Sequence, residues 1–181
     1  MHSITQPSRR LAFLFRTIFY AYPLAMLGAW LWIDPTVGND WLDLDLIESV
    51  MEGYEVHDIT TWQRLACFGA SMLTGCATMY VFHALSRLFN LYGRGIFFNK
   101  ENVACYRATG IGLILQQFFS LPEGALQTVI LSWTNAEGER ILAVNVDDAN
   151  ISLIVVGLMV ILISRIMDEG RKMQEEQQLT V

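Results

Sequence analysis

The sequence predicts an all-α membrane protein: a bundle of four transmembrane helices with a small extracytoplasmic β-hairpin and a short amphipathic outer helix. Three observations carry that expectation. Apolar residues make up 53% and charged residues 17% of the 181-residue chain, with a mean hydropathy of +0.36, whereas ordinary soluble chains are roughly 25% charged. The charges are gathered in blocks between long uncharged stretches, and four of those stretches approach the roughly 20 apolar residues needed to cross a hydrocarbon core. Basic and acidic blocks also alternate along the chain, as they do when they flank spans on opposite sides of a bilayer.

The first span is read at 11–33, with Arg16 near its start and Pro23 inside it, where a kink is expected. The second covers about 64–89, the third about 103–123, and the fourth, the most uniformly aliphatic, 151–167. The chain is then one transmembrane domain, 1–181, with outer loops at 34–61 and 124–150, a cytoplasmic loop at 90–102 and a cytoplasmic tail at 168–181. Orientation follows from the basic residues: Arg9, Arg10, Arg16, Arg87, Arg94, Lys100, Arg107, Arg165, Arg171 and Lys172 fall on one side, and only Arg64 and Arg140 on the other. Both termini are therefore expected in the cytoplasm. Acidic residues dominate the opposite side, with Asp34, Asp40, Asp43, Asp45, Glu48, Glu52, Glu55 and Asp58 in one loop and Glu137, Glu139, Asp147 and Asp148 in the other. Ser8-Arg9-Arg10 ahead of Phe13 and Leu14 loosely matches a twin-arginine signal, but the apolar run is too long and no small-x-small cleavage site follows, so the first span is expected to be retained.

In the first outer loop Trp41, Leu44, Ile47 and Met51 recur at helical spacing with acidic residues between them, which predicts the short amphipathic helix. Those carboxylates suggest a divalent-cation site, but no EF-hand spacing is present and a solvated acidic face is the preferred reading. The second outer loop reads as the hairpin: QTVILSW and RILAVNV are rich in β-branched residues and flank Asn135-Ala136-Glu137-Gly138, which has turn chemistry. On the cytoplasmic side Gly93 and Gly95 supply turns, and Asn99 or Asn102 caps the third helix. Cys67, Cys76 and Cys105 form no CxxC pair and have no ligand-spaced His, which excludes a zinc or disulfide framework and predicts reduced thiols.

GRGIFFNKENVACYRATGIG, followed by ISLIVVGLMVILISRIMDEGRKMQEEQQLTV, resembles DUF2975, a family of small bacterial membrane proteins of unknown function. The resemblance covers about Leu85 to Val181 and rests on Gly95, Phe97, Asn102, Arg107 and Gly110, then Gly170, Gln174, Glu175 and Leu179-Thr180-Val181. The long acidic loop before Thr60 does not visibly match. The resemblance implies four spans in the bacterial inner membrane and no established enzyme activity. Members are often encoded beside a small helix-turn-helix regulator, which suggests a membrane tether for a transcription factor, an association rather than a mechanism.

Polar groups inside spans are the places to look for function, because burying them in lipid is costly. His83, Gln116, Gln117 and Glu123 are the candidates. For His83, and for the two glutamines, interhelical hydrogen bonding is preferred over proton relay or a cavity lining. Glu123 is expected near the outer interface as a salt-bridge partner of Arg64 or Arg140, and only secondarily as a proton carrier. Ala21, Ala25 and Ala29, and Ser71 with Gly75, form small-residue faces suited to close helix approach or self-association. Trp30, Trp32, Trp62 and Trp133 are read as an interfacial belt.

No nucleophile elbow, Walker loop, dinucleotide fingerprint or HExxH occurs, so no enzyme, cofactor, catalytic residue or metal ligand is expected. Direct nucleic-acid binding is disfavoured because the basic residues are dispersed and the tail is balanced by Asp168, Glu169, Glu175 and Glu176. The expected function is a non-enzymatic membrane regulator or sensor that tethers a cytoplasmic helix-turn-helix regulator. Gly95, Phe97, Asn102, Arg107, Gly170, Gln174, Glu175, Leu179 and Val181 are its partner-binding candidates. The alternative is a subunit of an oligomeric channel or transporter. The lipid bilayer and a homo-oligomer complete the expected partners.

Overall fold

The computed structural model describes residues 2–32, 59–135, 140–144 and 148–179. These form α1 (His2–Trp32), α2 (Thr61–Gly93), α3 (Lys100–Leu131), a 3-10 turn (Ser132–Thr134) and α4 (Asp148–Leu179). The helices run well past the expected spans: α1 starts at His2 rather than Leu11 and continues through Pro7 and Pro23, and α3 passes Pro122 and Glu123 to reach Leu131. The expected outer amphipathic helix lies outside the described residues.

Helices α1, α2 and α4 are long and apolar enough to cross a membrane, over Thr5–Trp32, Thr61–Gly93 and Ile151–Glu176. Helix α3 is less apolar, carrying Lys100, Glu101, Arg107, Gln116, Gln117, Glu123 and Gln127. Length and composition therefore support three spans, not the expected four. The outer surfaces are oily, with Phe13, Leu24, Leu158 and Ile166 all exposed, as lipid-facing residues are.

The helices are not closed into a bundle. Among the described residues α1 packs on α2, α2 on α3 and α3 on α4, and no backbone contact joins α1 to α3 or α4, or α2 to α4. The result is an open row of antiparallel neighbours. Lipid tails are as apolar as leucine, so the two edge helices have no hydrophobic reason to close the row.

Close approach within the row is set by small residues. A methyl group on Gly110 would lie 2.6 Å from Ile161 Cγ1 and 2.7 Å from the Gly157 carbonyl oxygen, so α3 and α4 meet backbone to backbone. Gly112 faces Val81 of α2, and Gly75 faces Tyr22 of α1. The Ser71–Gly75 face thus packs against α1 as anticipated, whereas Ala21 and Ala25 point outward.

Helix ends are closed by neighbours. The Arg64 guanidinium donates to the carbonyl oxygens of Leu31 (3.0 Å) and Trp30 (3.5 Å) at the end of α1, and Arg9 donates to Gly93 O at the end of α2 (3.3 Å). Each helix of this antiparallel pair brings a cation to the other's negative terminus, where the carbonyls lack helical partners. Gln63 caps two helices at once: its Oε1 accepts from Thr60 N (2.9 Å) and Thr60 Oγ1 (2.6 Å) at the start of α2, while its Nε2 donates to Ile130 O (2.9 Å) and Leu131 O (3.3 Å) at the end of α3.

The expected β-hairpin is not present: no strand occurs among the described residues, and QTVILSW is the end of α3 and the 3-10 turn. The returning segment 140–144 is held by hydroxyls of that helix. Ile141 N donates to Ser132 Oγ (3.0 Å) and Ala143 N donates to Thr128 Oγ1 (3.3 Å). The spacings match, since four helical residues rise about 6 Å and two residues of extended chain about 6.6 Å. The β-branched residues favour a strand locally, but in α3 Ile130 packs against the Trp30–Cys67–Leu131 core, and tertiary context overrides propensity.

Gly110→Ala should destabilise the protein by about 1–3 kcal/mol, because the added methyl meets backbone that cannot rotate away. Gly28→Ala, where no atom lies within 4 Å, should leave stability unchanged or raise it by about 0.4–1 kcal/mol. Unfolding of the full chain in mixed micelles by titrated denaturing detergent measures both.

Candidate functional site

Helix α2 buries Cys67, Ala70, Ser71, Gly75 and Ala77, small side chains that let α1 and α3 approach it from two sides. Into this narrow part project the larger polar groups of the neighbouring helices. The Trp30 indole of α1 donates to Ser71 Oγ (2.9 Å), and the Gln127 amide of α3 donates to the same oxygen (2.9 Å). Gln127 Nε2 also donates to Glu123 Oε1 (3.2 Å). Glu123 and Gln127 are four residues apart and so stack on one face of α3. The Ser71 and Thr74 hydroxyls of α2 face the Glu123 carboxylate, while Thr74 Oγ1, itself buried, reaches no hydrogen-bond partner.

Glu123 therefore sits in a cradle of neutral donors, and the expected salt bridges to Arg64 or Arg140 do not form. Arg64 is committed to the end of α1, and Arg140 lies over the Trp133 ring at 4.9 Å. Trp30 was expected in an interfacial belt, but it is 1% exposed and forms the core with Cys67 and Leu131. Trp32, Trp62 and Trp133 are exposed.

The other intramembrane candidates lie apart from this cluster. His83 is exposed, its ring 5.8 Å from that of Phe19. Gln117 is buried and Gln116 partly so. Neither His83 nor the glutamine pair makes a side-chain hydrogen bond among the described residues, so the interhelical bonds expected of them are absent.

At the Gly93 end, the residues of the connection between α2 and α3 have structural work. Gly95 has φ +78°, a conformation that disfavours any side chain. Asn102 is fully buried and donates from Nδ2 to Ile96 O (2.9 Å), tying down the turn. Phe97 stacks on Tyr92 with centroids 5.4 Å apart, and the Tyr92 and Tyr106 hydroxyls meet at 2.7 Å. Arg107 is exposed and makes no hydrogen bond or ion pair among the described residues. In α4, Arg171 is buried and bonded to Asp168 (2.9 Å) and Glu175 (2.6 Å), Gln174 is exposed, and Gly170 has no atom near its Cβ position. Leu179 ends the helix, and Val181 lies outside the described residues.

Sequence reasoning reached Glu123 but missed its partners Ser71, Gln127 and Trp30 as a unit. The available signal was the four-residue spacing of Glu123 and Gln127, hidden because Gln127 had been read as the first residue of a strand. Among the described residues no group of three His, Cys, Asp or Glu converges.

Residues 50–181 match the model of a family described as a protein of unknown function, DUF2975. The match begins earlier than the resemblance read from motifs, which started at about Leu85, and so takes in all of α2 and the last part of the acidic loop as well as α3 and α4. No curated protein and no solved structure matches the chain.

Ser71→Ala should destabilise the protein by about 1–3 kcal/mol, since it strands two buried N–H donors. Combined with Gln127→Ala, the loss should be smaller than the sum of the two single losses, because one serine oxygen serves both bonds. A double-mutant cycle by detergent denaturation checks this, and strict additivity would exclude the shared acceptor.

Proposed function

Since the chain belongs to the DUF2975 family, whose function is unknown, we propose that it is a non-enzymatic membrane regulator that presents a cytoplasmic docking surface to a helix-turn-helix regulator. The observation that carries this reading is the continuity of α4, which runs without a break from its apolar span into a polar tail ending at Leu179. A continuous helix transmits position from the membrane to whatever binds the tail, and the Asp168–Arg171–Glu175 clamp stiffens the junction.

In this reading the protein lies in the bacterial inner membrane with both termini and the α2–α3 connection in the cytoplasm, as the basic flanks imply. Helix α3 is then a fourth crossing, which its full-length packing between α2 and α4 supports. The docking surface narrows to exposed groups such as Arg107 and Gln174, because Gly95, Phe97 and Asn102 are occupied in shaping the turn.

A second reading, a subunit of an oligomeric channel or transporter, draws on the uncovered edges of the row, where α1 and α4 each pack on one neighbour only. Against it, Ser71 of α2 and Gln127 of α3 turn toward each other rather than toward a shared lumen.

Full-length tagged protein recovered from native membranes should bring down a DNA-binding protein. Removing residues 173–181 should reduce that recovery by about tenfold, equivalent to roughly 1.4 kcal/mol of binding, and Arg107→Ala should weaken it further. Equal recovery with and without the tail would exclude the tail as the docking element.

A further inference from the structure

Glu123 lies eight residues before the end of α3, and among the described acids it is the one set against the buried polar groups of α2. It lies level with Ser71 and Thr74, which are seven and ten residues beyond Arg64 and so about 10–15 Å along α2. Its surroundings are uncharged. Tyr22 of α1 is close enough to interact electrostatically with it, and Cys76 of α2 lies close to Tyr22. From α3 it meets Gln127, and no Lys, Arg or His pairs with it among the described residues, including those of α4.

Donor and acceptor chemistry defines what such a group can bind. Ser71 Oγ accepts from Trp30 and from Gln127, which uses both of its lone pairs. Its own hydrogen must then be donated, and the Glu123 carboxylate is the acceptor it faces. Gln127 Nε2 spends one hydrogen on Ser71 and the other on Glu123. An ionised carboxylate, which only accepts, fits this set. A protonated carboxyl adds one donor, and it needs one more acceptor. Thr74 Oγ1, buried beside the carboxyl and without a fixed hydrogen-bond partner, serves both forms, since a hydroxyl donates to a carboxylate and accepts from a carboxyl.

We propose that Glu123, with Ser71, Thr74 and Gln127, forms a proton-binding site inside the helix layer, and that its occupancy is read out through Ser71 by Trp30 on α1. The carboxylate takes one proton from solvent and its charge goes from −1 to 0; no other bond forms or breaks except hydrogen bonds. The protonated oxygen turns to Thr74, its bond with Gln127 weakens, and the Ser71 junction that joins α1, α2 and α3 loosens. The proposal does not depend on any partner of the tail.

The test uses the full chain in phosphatidylcholine vesicles. Infrared difference spectra between alkaline and mildly acidic buffer should show a protonated-carboxyl band that Glu123→Gln removes and Glu123→Asp retains. With Trp32, Trp41, Trp62 and Trp133 replaced by Phe, Trp30 emission should titrate with the same midpoint, and Glu123→Gln should make it independent of pH. Two further variants keep the question open to refutation if Glu123→Gln does not fold. Ser71→Ala and Thr74→Val each remove a hydroxyl donor to the ionised form and should each strengthen proton binding about tenfold. Superimposable infrared spectra for wild type and Glu123→Gln would overturn the site, as would midpoints that Ser71→Ala and Thr74→Val both leave unmoved.

Discussion

One serine oxygen joins three of the four helices. Ser71 accepts the Trp30 indole N–H from one side of α2 and the Gln127 amide from the other, and in an open row this is where α1 and α3 sense each other. The backbones of α1 and α3 do not touch, so the two helices meet only through side chains gathered over the small residues of α2. Interhelical hydrogen bonds in a membrane commonly contribute only about 0.6–2 kcal/mol each. Here two of them converge on a single atom inside a tightly packed core of Trp30, Cys67 and Leu131, which makes the serine a structural junction rather than one bond among many.

The rest of the row is arranged so that helix ends do not stay unsatisfied. Arg9 and Arg64 exchange places across the α1–α2 pair, each at the other helix's carbonyl end. Gln63 does the corresponding work between α2 and α3, and Asn102 fastens the turn at the opposite end. Side chains of one helix closing the termini of its neighbour set the register of that pair, because a shift by one turn would break both caps. Between α3 and α4 register is set differently, by the mutual contact of Gly110 and Gly157. Helix α4 is thus positioned by shape and presents most of its circumference outward.

This division places the features relevant to function at separate levels. The motif residues Gly95, Phe97 and Asn102 build the connection that turns α2 into α3, and the exposed residues around them and along the tail of α4 are what a partner would meet. The Glu123 cluster lies deep in the row, away from that surface. A half-buried acid with neutral donors and no cation partner among the described residues is costly to retain in a membrane, and the donors around it are mutually arranged rather than incidental. Linkage between such a group and the junction at Ser71 would give the helix layer a way to respond to its surroundings without any moving loop.

The sequence by itself determined that the chain is a helical membrane protein, which family it resembles and which residues make the tight turn, because apolar run length, charge blocks and glycine placement are local properties. It also put Glu123 among four polar candidates in or beside the spans, as a salt-bridge partner at the outer interface. Tertiary structure decided what surrounds that acid. The stretch after Gln127 was read as strand from its β-branched residues, and only packing against α2 and the hydroxyl contacts of Thr128 and Ser132 make it helix. Trp30 was legible as aromatic and near a boundary, but its burial depends on Cys67 and Ser71, which are distant in sequence. The openness of the row was also beyond sequence: the apolar pattern of α1 and α4 is the same whether lipid or another helix covers it. Contacts between residues far apart in the chain leave no periodic signal, and the candidate site is made of nothing else.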